Sequence, residues 1–361
     1  MKKFLAILLC VCMVVAIVAC NKTETPDTDT NTPDTPATEA EYKLGMGVVV
    51  SMDSSKTGNA QVDATVATVV VDAEGKIVSC RIDVAQNKMN VADGVVDTAK
   101  TFETKMELGD RYGMAGKVDN DGNGVKLEWF EQAKAFEAYV VGKTAAQIAA
   151  MELQEANGHM IAVDQALLDA GCSMQITDFI AAVVKACNDE QGVSFKTAST
   201  FTLGLAAKTT AEESKAAVEG TDGTVAMYSD FACAVVVDGK IVAALNDAIQ
   251  PKITINTAGE IVAKTFSATK RELKEDYNMA KFGQSMDWNG DGVVKEWYLQ
   301  SAAFSAHVVG MTAAEVSAMA TKVVEGSGYV ISADDALLSA GCTIQITAIK
   351  AVVAQAVTNA R

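Results

Sequence analysis

The chain has 361 residues, 49% of them hydrophobic, and a formal net charge of −16. That balance excludes a nucleic-acid ligand, which needs a basic footprint, and tight contact with anionic lipid. Its length and apolar content allow two domains with real cores.

Lys2 and Lys3 precede an unbroken apolar run, Phe4 to Val18. The run is short for a membrane span and typical of the h-region of a secretion signal. It ends in Ile17-Val18-Ala19-Cys20. The quartet resembles the lipobox of bacterial lipoproteins, which implies acylation of Cys20 and a body held to the outer side of a cell membrane. Residues 21–41 contain three of the four prolines, Pro26, Pro33 and Pro36, among Thr, Asp and Glu, with no large apolar residue. Such a segment cannot bury enough surface to offset its ordering entropy and reads as a tether.

The remainder matches itself. Gly75-Lys-Ile-Val78 recurs as Gly239-Lys-Ile-Val242, Glu128-Trp129 as Glu296-Trp297, and Ala166-Leu-Leu-Asp-Ala-Gly-Cys172 as Ala336-Leu-Leu-Ser-Ala-Gly-Cys342. The matches are collinear, so residues 42–190 and 201–361 read as two repeats joined by a linker, 191–200. Each repeat is expected to fold alone.

In each repeat a strand (Lys43 to Met52 in the first) is expected to lead into a hairpin. Its arms are Val66–Val71 and Ile77–Val84 around Asp72-Ala-Glu-Gly75, and Val235–Val237 and Ile241–Leu245 around Asp238-Gly239. The charged run Lys270-Arg-Glu-Leu-Lys-Glu275 reads as a solvated face.

Next comes an acidic loop, Asp119-Asn-Asp121-Gly-Asn123-Gly-Val125, matched by Asp287-Trp-Asn289-Gly-Asp291-Gly-Val293. Oxygens at positions one, three and five followed by glycine form the first half of a calcium loop. Glu128 and Glu296 stand at position ten, whereas position twelve is Phe130 or Tyr298. The candidate calcium ligands are therefore Asp119, Asp121, Asn123 and Glu128, and Asp287, Asn289, Asp291 and Glu296. The alternative is an Asx/Gly turn capping a helix that begins near Lys126 or Val294.

Thr144-Ala-Ala-Gln147 and Thr312-Ala-Ala-Glu315 are capping boxes. Cys172 to Ile176 alternates like a strand, with Ser173 and Gln175 on the polar face, and Thr177 and Thr347 would cap a last apolar helix, Phe179 to Ala186 in the first repeat. Strands followed by helices make each repeat α+β: an antiparallel sheet with a helical second half.

The lipoprotein setting, the early hairpin and the Gly-small-Ser/Thr turn before a final helix resemble the FMN-binding domain family. That resemblance implies an electron-transfer protein with flavin phosphate at a threonine of an Asp-x-x-Ser-Gly-Ala-Thr motif. Here the corresponding residues are Gly171 and Ser173, and Gly341 and Thr343; Leu167 and Leu337 stand at the Asp position. Trp129, Phe130, Trp297 and Tyr298 would line the flavin slot, or else pack as ordinary core.

Two histidines, His159 and His307, offer no zinc site or Ser/His triad. Beyond Cys20, the cysteines have no CxxC spacing, and Cys172 and Cys342 read as small core residues. No acid/base or nucleophile constellation stands out, so an enzyme is the third reading, behind the two that follow. The expected functions are flavin binding in extracellular electron transfer, or a calcium-stabilised surface module for a polymer or protein of the cell envelope.

Overall fold

The computed structural model describes residues 39–282 and 287–361. The secretion signal, Cys20 and the tether up to residue 38 lie outside the described residues. In the first repeat the order is β1 (Ala40–Ser51), β2 (Asn59–Asp72), β3 (Ile77–Asn90), α1 (Lys105–Leu108), α2 (Trp129–Val140), α3 (Ala145–Ala149), β4 (Leu153–Ala156), β5 (His159–Ala162), α4 (Gln165–Asp169), α5 (Thr177–Cys187) and β6 (Val193–Thr197). In the second it is β7 (Thr202–Thr210), β8 (Gly223–Val225), β9 (Tyr228–Val237), β10 (Lys240–Ile249), β11 (Lys252–Ile255), β12 (Ile261–Thr265), α6 (Lys270–Leu273), α7 (Met279–Phe282), α8 (Trp297–His307), α9 (Ala313–Ala318), β13 (Thr321–Val323), β14 (Val330–Ser332), α10 (Asp335–Ser339) and α11 (Thr347–Thr358). Each repeat is thus an antiparallel sheet with a helical second half, and the protein is α+β.

Local chemistry explains the strand ends. Asp72 turns the first hairpin by accepting the Glu74 and Lys76 N–H groups at 3.1 and 2.8 Å. Asp238 and Gly239, at φ 49° and 76°, supply the two positive dihedrals of a two-residue hairpin turn. Both expected capping boxes form, Thr144 with Gln147 and Thr312 with Glu315. Two more, Thr104 with Glu107 and Thr269 with Glu272, start α1 and α6.

The main sheets are β3-β2-β1-β6 and β10-β9-β7. Strand side chains alternate, and here both faces are apolar. On β2, Val62, Ala64, Val66 and Val70 point to one core, and Ala67, Val69 and Val71 to another. The second core lies between the sheet and α2 and α5. The first also contains Leu203, Leu205, Phe231 and Leu245 of the second repeat, so the two sheets stack face to face on one shared core. Asn87 Nδ2 donates to Ser229 Oγ across that stack at 3.3 Å. The second repeat covers its outer face with α8 and α11, giving four layers, helix–sheet–sheet–helix. Segment 191–200, expected to be a linker, contributes β6, which pairs antiparallel with Ala40–Leu44.

Glycine sets the spacing of sheet and helix. A Cβ at Gly45 would run into the Ala186 carbonyl of α5, and one at Gly204 into the Ala356 carbonyl of α11. No other residue lets the helix axis come so close.

The edges where the stacked sheets meet hold buried charge. Arg271, inside the run expected to be a solvated face, is 5% exposed and reaches Asp189 at 3.0 Å and the Gln191 carbonyl at 2.9 Å. A partner 82 residues away, absent from any local pattern, makes that burial tolerable. Asp83 and Asp247 accept the Met106 and Arg271 N–H groups at 3.1 and 3.0 Å and so seat α1 and α6. Burial pushes both carboxyls up to about 6. Among the described residues no helix is long and apolar enough to cross a membrane.

Candidate functional site

The acidic loops precede α2 and α8, which begin at Trp129 and Trp297, three residues later than expected. Glu128 and Glu296 are the N-caps. Their carboxylates turn back from the loops: Glu128 accepts Met114 N and Ala115 N at 2.8 and 3.0 Å, and Glu296 accepts Met279 N and Ala280 N at 2.9 and 3.1 Å. Burial opposes ionisation of Glu128, but the N–H groups of Met114, Ala115 and Trp129 outweigh it and hold the carboxyl below its ordinary value. These two expected metal ligands are thus committed to backbone groups.

The remaining loop residues converge. Asp119 accepts Gly124 N at 3.2 Å, and Asn123 accepts Val125 N at 2.7 Å. In the second repeat Asp287 accepts Asp291 N and Gly292 N at 3.1 and 2.9 Å, and Asp291 accepts Val293 N at 2.8 Å. Each loop is pinned from below: Asn123 Nδ2 donates to the Leu168 carbonyl at 3.4 Å and Asn289 Nδ2 to the Leu338 carbonyl at 3.1 Å. Asn120 Nδ2 adds a bond to the Ser173 carbonyl at 2.9 Å. The acidic loop and the Ala-Gly-Cys turn, 45 residues apart in sequence, therefore form one site.

That turn is not the strand its alternation suggests. Residues 172–176 are an irregular connection between α4 and α5, and Ser173 is 1% exposed instead of facing solvent. Its backbone N–H groups look inward to a buried amide. Gln132 Oε1 accepts Ser173 N and Met174 N, both at 3.0 Å, while Gln132 Nε2 donates to the Leu127 carbonyl at 3.1 Å. Gln300 does the same for Thr343 N, Ile344 N and the Lys295 carbonyl at 2.7, 3.0 and 2.7 Å. Gly171 and Gly341 take φ of +88° and +83°, which the reversal requires. Thr177 and Thr347 are the first helical residues, not caps; the N-cap positions are Ile176 and Ile346. The two glutamines were legible: they sit three residues after Trp129 and Trp297, and extending the self-comparison of Glu-Trp reaches them.

The N–H donors that a flavin phosphate would use at Ser173 and Thr343 are thus held by Gln132 and Gln300. Trp129 and Trp297 are 3% and 4% exposed and belong to the cores, with Lys105 and Lys270 ammonium groups over their rings. Tyr298 is tied to Glu275 at 2.7 Å. Cys172 and Cys342 are fully buried, and burial pushes both thiols up to about 12, so neither ionises near neutrality. His307 faces Asp334, the N-cap of α10, at 3.9 Å.

Among the described residues, no three or more His, Cys, Asp or Glu side chains group as a metal cluster. What the loops do present is unsatisfied oxygen. Five buried side-chain N or O atoms of the described residues lack a hydrogen-bond partner, and four belong to this site: Asp121 Oδ1, Ser173 Oγ, Trp288 Nε1 and Asn289 Oδ1. Asp121 and Asn289 occupy the same third position of the two loops. An orphaned buried acceptor costs about 1–3 kcal/mol unless a water or an ion meets it, and here it recurs at one position of both loops. Comparison with protein families, with curated proteins and with solved structures finds no match.

Proposed function

We propose that this chain is a lipid-tethered, extracytoplasmic, non-catalytic module whose two acidic loops take calcium. The observation that carries the reading is the orphaned oxygen at position three of both loops. Calcium accepts mixed carboxylate, amide and carbonyl oxygens, which is the donor set here. Asp119, Asp121 and Asn123 would hold it in the first repeat and Asp287, Asn289 and Asp291 in the second. Bound calcium would neutralise the acidic loop and fasten it to the turn at Gly171 or Gly341, presenting a rigid surface to a polymer or protein of the cell envelope. Flavin is not part of this reading, because its phosphate would compete with Gln132 and Gln300 for the same donors.

The affinity is expected near 10⁻⁴–10⁻³ M, because neither loop supplies a bidentate glutamate at position twelve. At ten times the Kd, calcium should add about 1.4 kcal/mol of stability per site. Calorimetric titration and melting with calcium, magnesium and chelator check this. Asp121→Ala should remove the first site alone and Asp287→Ala the second. No calcium heat and no melting shift would leave the loops as turns that shape helix starts. The tether is tested separately: Cys20→Ala should move the protein from the membrane to the soluble fraction, and a variant that still sediments with membranes would refute the anchor.

A further inference from the structure

The first repeat carries a cleft of about 280 Å³ on the helical face of its sheet, lined by no residue of the acidic loop. Strand register builds one wall. Ser51 pairs with Asp63 and Asp63 with Gln86, a polar row across β1, β2 and β3. Trp129 and Phe179, packed edge to face at 5.8 Å, line the cleft from the buried side. Gln175 and Asp178, at the start of α5, stand at its solvent-exposed mouth, and Lys105 of α1 completes the lining.

Among the described residues the polar groups of this cleft have few protein partners and stay open to solvent. Thr65 is 4% exposed and lines the cleft, yet its hydroxyl makes no hydrogen bond among the described residues. Among those residues the side chains of Gln86, Gln175 and Asp178 also lack hydrogen-bond partners. Asp63 accepts only the Gln61 amide, at 3.0 and 2.7 Å, and among the described residues neither aspartate has an ion pair. Lys105 stands over the rings of Tyr112 and Trp129, 5.0 and 5.4 Å from their centroids. Partial burial pushes the Asp178 carboxyl up, the Asp63 charge pushes it further, and the Lys105 ammonium opposes both. Two carboxylates and one ammonium leave the cleft one negative charge.

We infer that this cleft binds a small hydroxylated primary amine, a monocation about the size of one amino sugar. Its ammonium would lie between Asp63 and Asp178, relieving their repulsion, and its hydroxyls would satisfy Thr65, Gln86 and Gln175. Lys105 disfavours a dication. Among the described residues the second repeat lacks the site: strand register places Tyr228 and Asp230 where the first has Asp63 and Thr65, and Ala348 takes the place of Asp178.

Titration calorimetry of the whole protein with glucosamine, glucose and calcium tests the inference. Glucosamine should bind one per chain and glucose at least tenfold more weakly. Asp178→Asn and Asp63→Asn should each weaken glucosamine tenfold or more while leaving the ligand-free melt unchanged. If either melt falls, Gln175→Ala, exposed at the mouth, replaces it and should weaken binding several-fold. Equal binding of glucose, binding unaltered in these variants, no glucosamine heat, or a calcium heat lost in Asp178→Asn would each overturn the proposal.

Discussion

Expressed as separate polypeptides, residues 39–200 and 201–361 should each fail to give a cooperative melt, and co-expression should restore one. Each repeat contains its own strands and helices, which taken alone would favour independent folding. The stacked sheets decide otherwise. Leu203, Leu205, Phe231, Leu245 and Ile253 of the second repeat are buried in a core they share with Leu44, Met46 and Val66 of the first. Exposing one such side chain costs about 1.5–3 kcal/mol. The five together cost about 7–15 kcal/mol, which matches the whole stability of an ordinary domain. A cooperative calorimetric transition from either half alone would show that its inner sheet face finds another cover.

Glu137→Ser should destabilise the protein by about 1–3 kcal/mol. Glu137 is 4% exposed and accepts Ile82 N at 2.8 Å. It also holds the Arg361 guanidinium at 3.0 Å and lies 3.7 Å from Arg81. Burial raises its pKa and the Arg361 charge opposes that rise, so the ion pairs keep a buried carboxylate tolerable. Removing it strands the Ile82 N–H group and takes an ion-pair partner from Arg361, whose side chain is partly open to solvent, and from Arg81, which keeps its bonds to the Leu203 and Cys80 carbonyls. The second repeat solves the same position without charge: Ser305 replaces Glu137, Leu245 replaces Arg81, and Asn246 Nδ2 donates to Ser305 Oγ at 2.9 Å. The double variant Glu137→Ser, Arg81→Leu should therefore recover a large part of the loss, a non-additivity expected for groups in one network. Denaturant midpoints of the wild type, both single variants and the double variant measure it. Additive losses would mean the ion pairs contribute nothing beyond their separate packing.

The sequence by itself determined what depends on a few neighbouring residues. Asp238-Gly239 closes a hairpin because its own dihedrals demand it, and Thr144 with Gln147 starts a helix because both partners lie within one turn. The acidic loops were legible for the same reason, and so were the antiparallel sheets and the helical second half. The apolar run from Val66 to Val71, nearly unbroken, even carried the mark of a strand buried on both faces.

What covers the second face is a long-range matter, and only the tertiary structure decided it. The five-residue alternation at Cys172–Ile176 misled because Gln132, 41 residues upstream, captures the Ser173 backbone N–H that a neighbouring strand would have taken. Arg271 read as a solvated charge because its partner Asp189 lies in the other repeat, 82 residues away. Glu128 read as a metal ligand because spacing says how far a carboxylate is along the chain, not which backbone donors will turn it around. Local conformation follows from dihedral and hydrogen-bond preferences within about four residues. The burial of charge, the fate of each polar group and the sharing of one core between two repeats follow from contacts that exist only once the sheets have stacked.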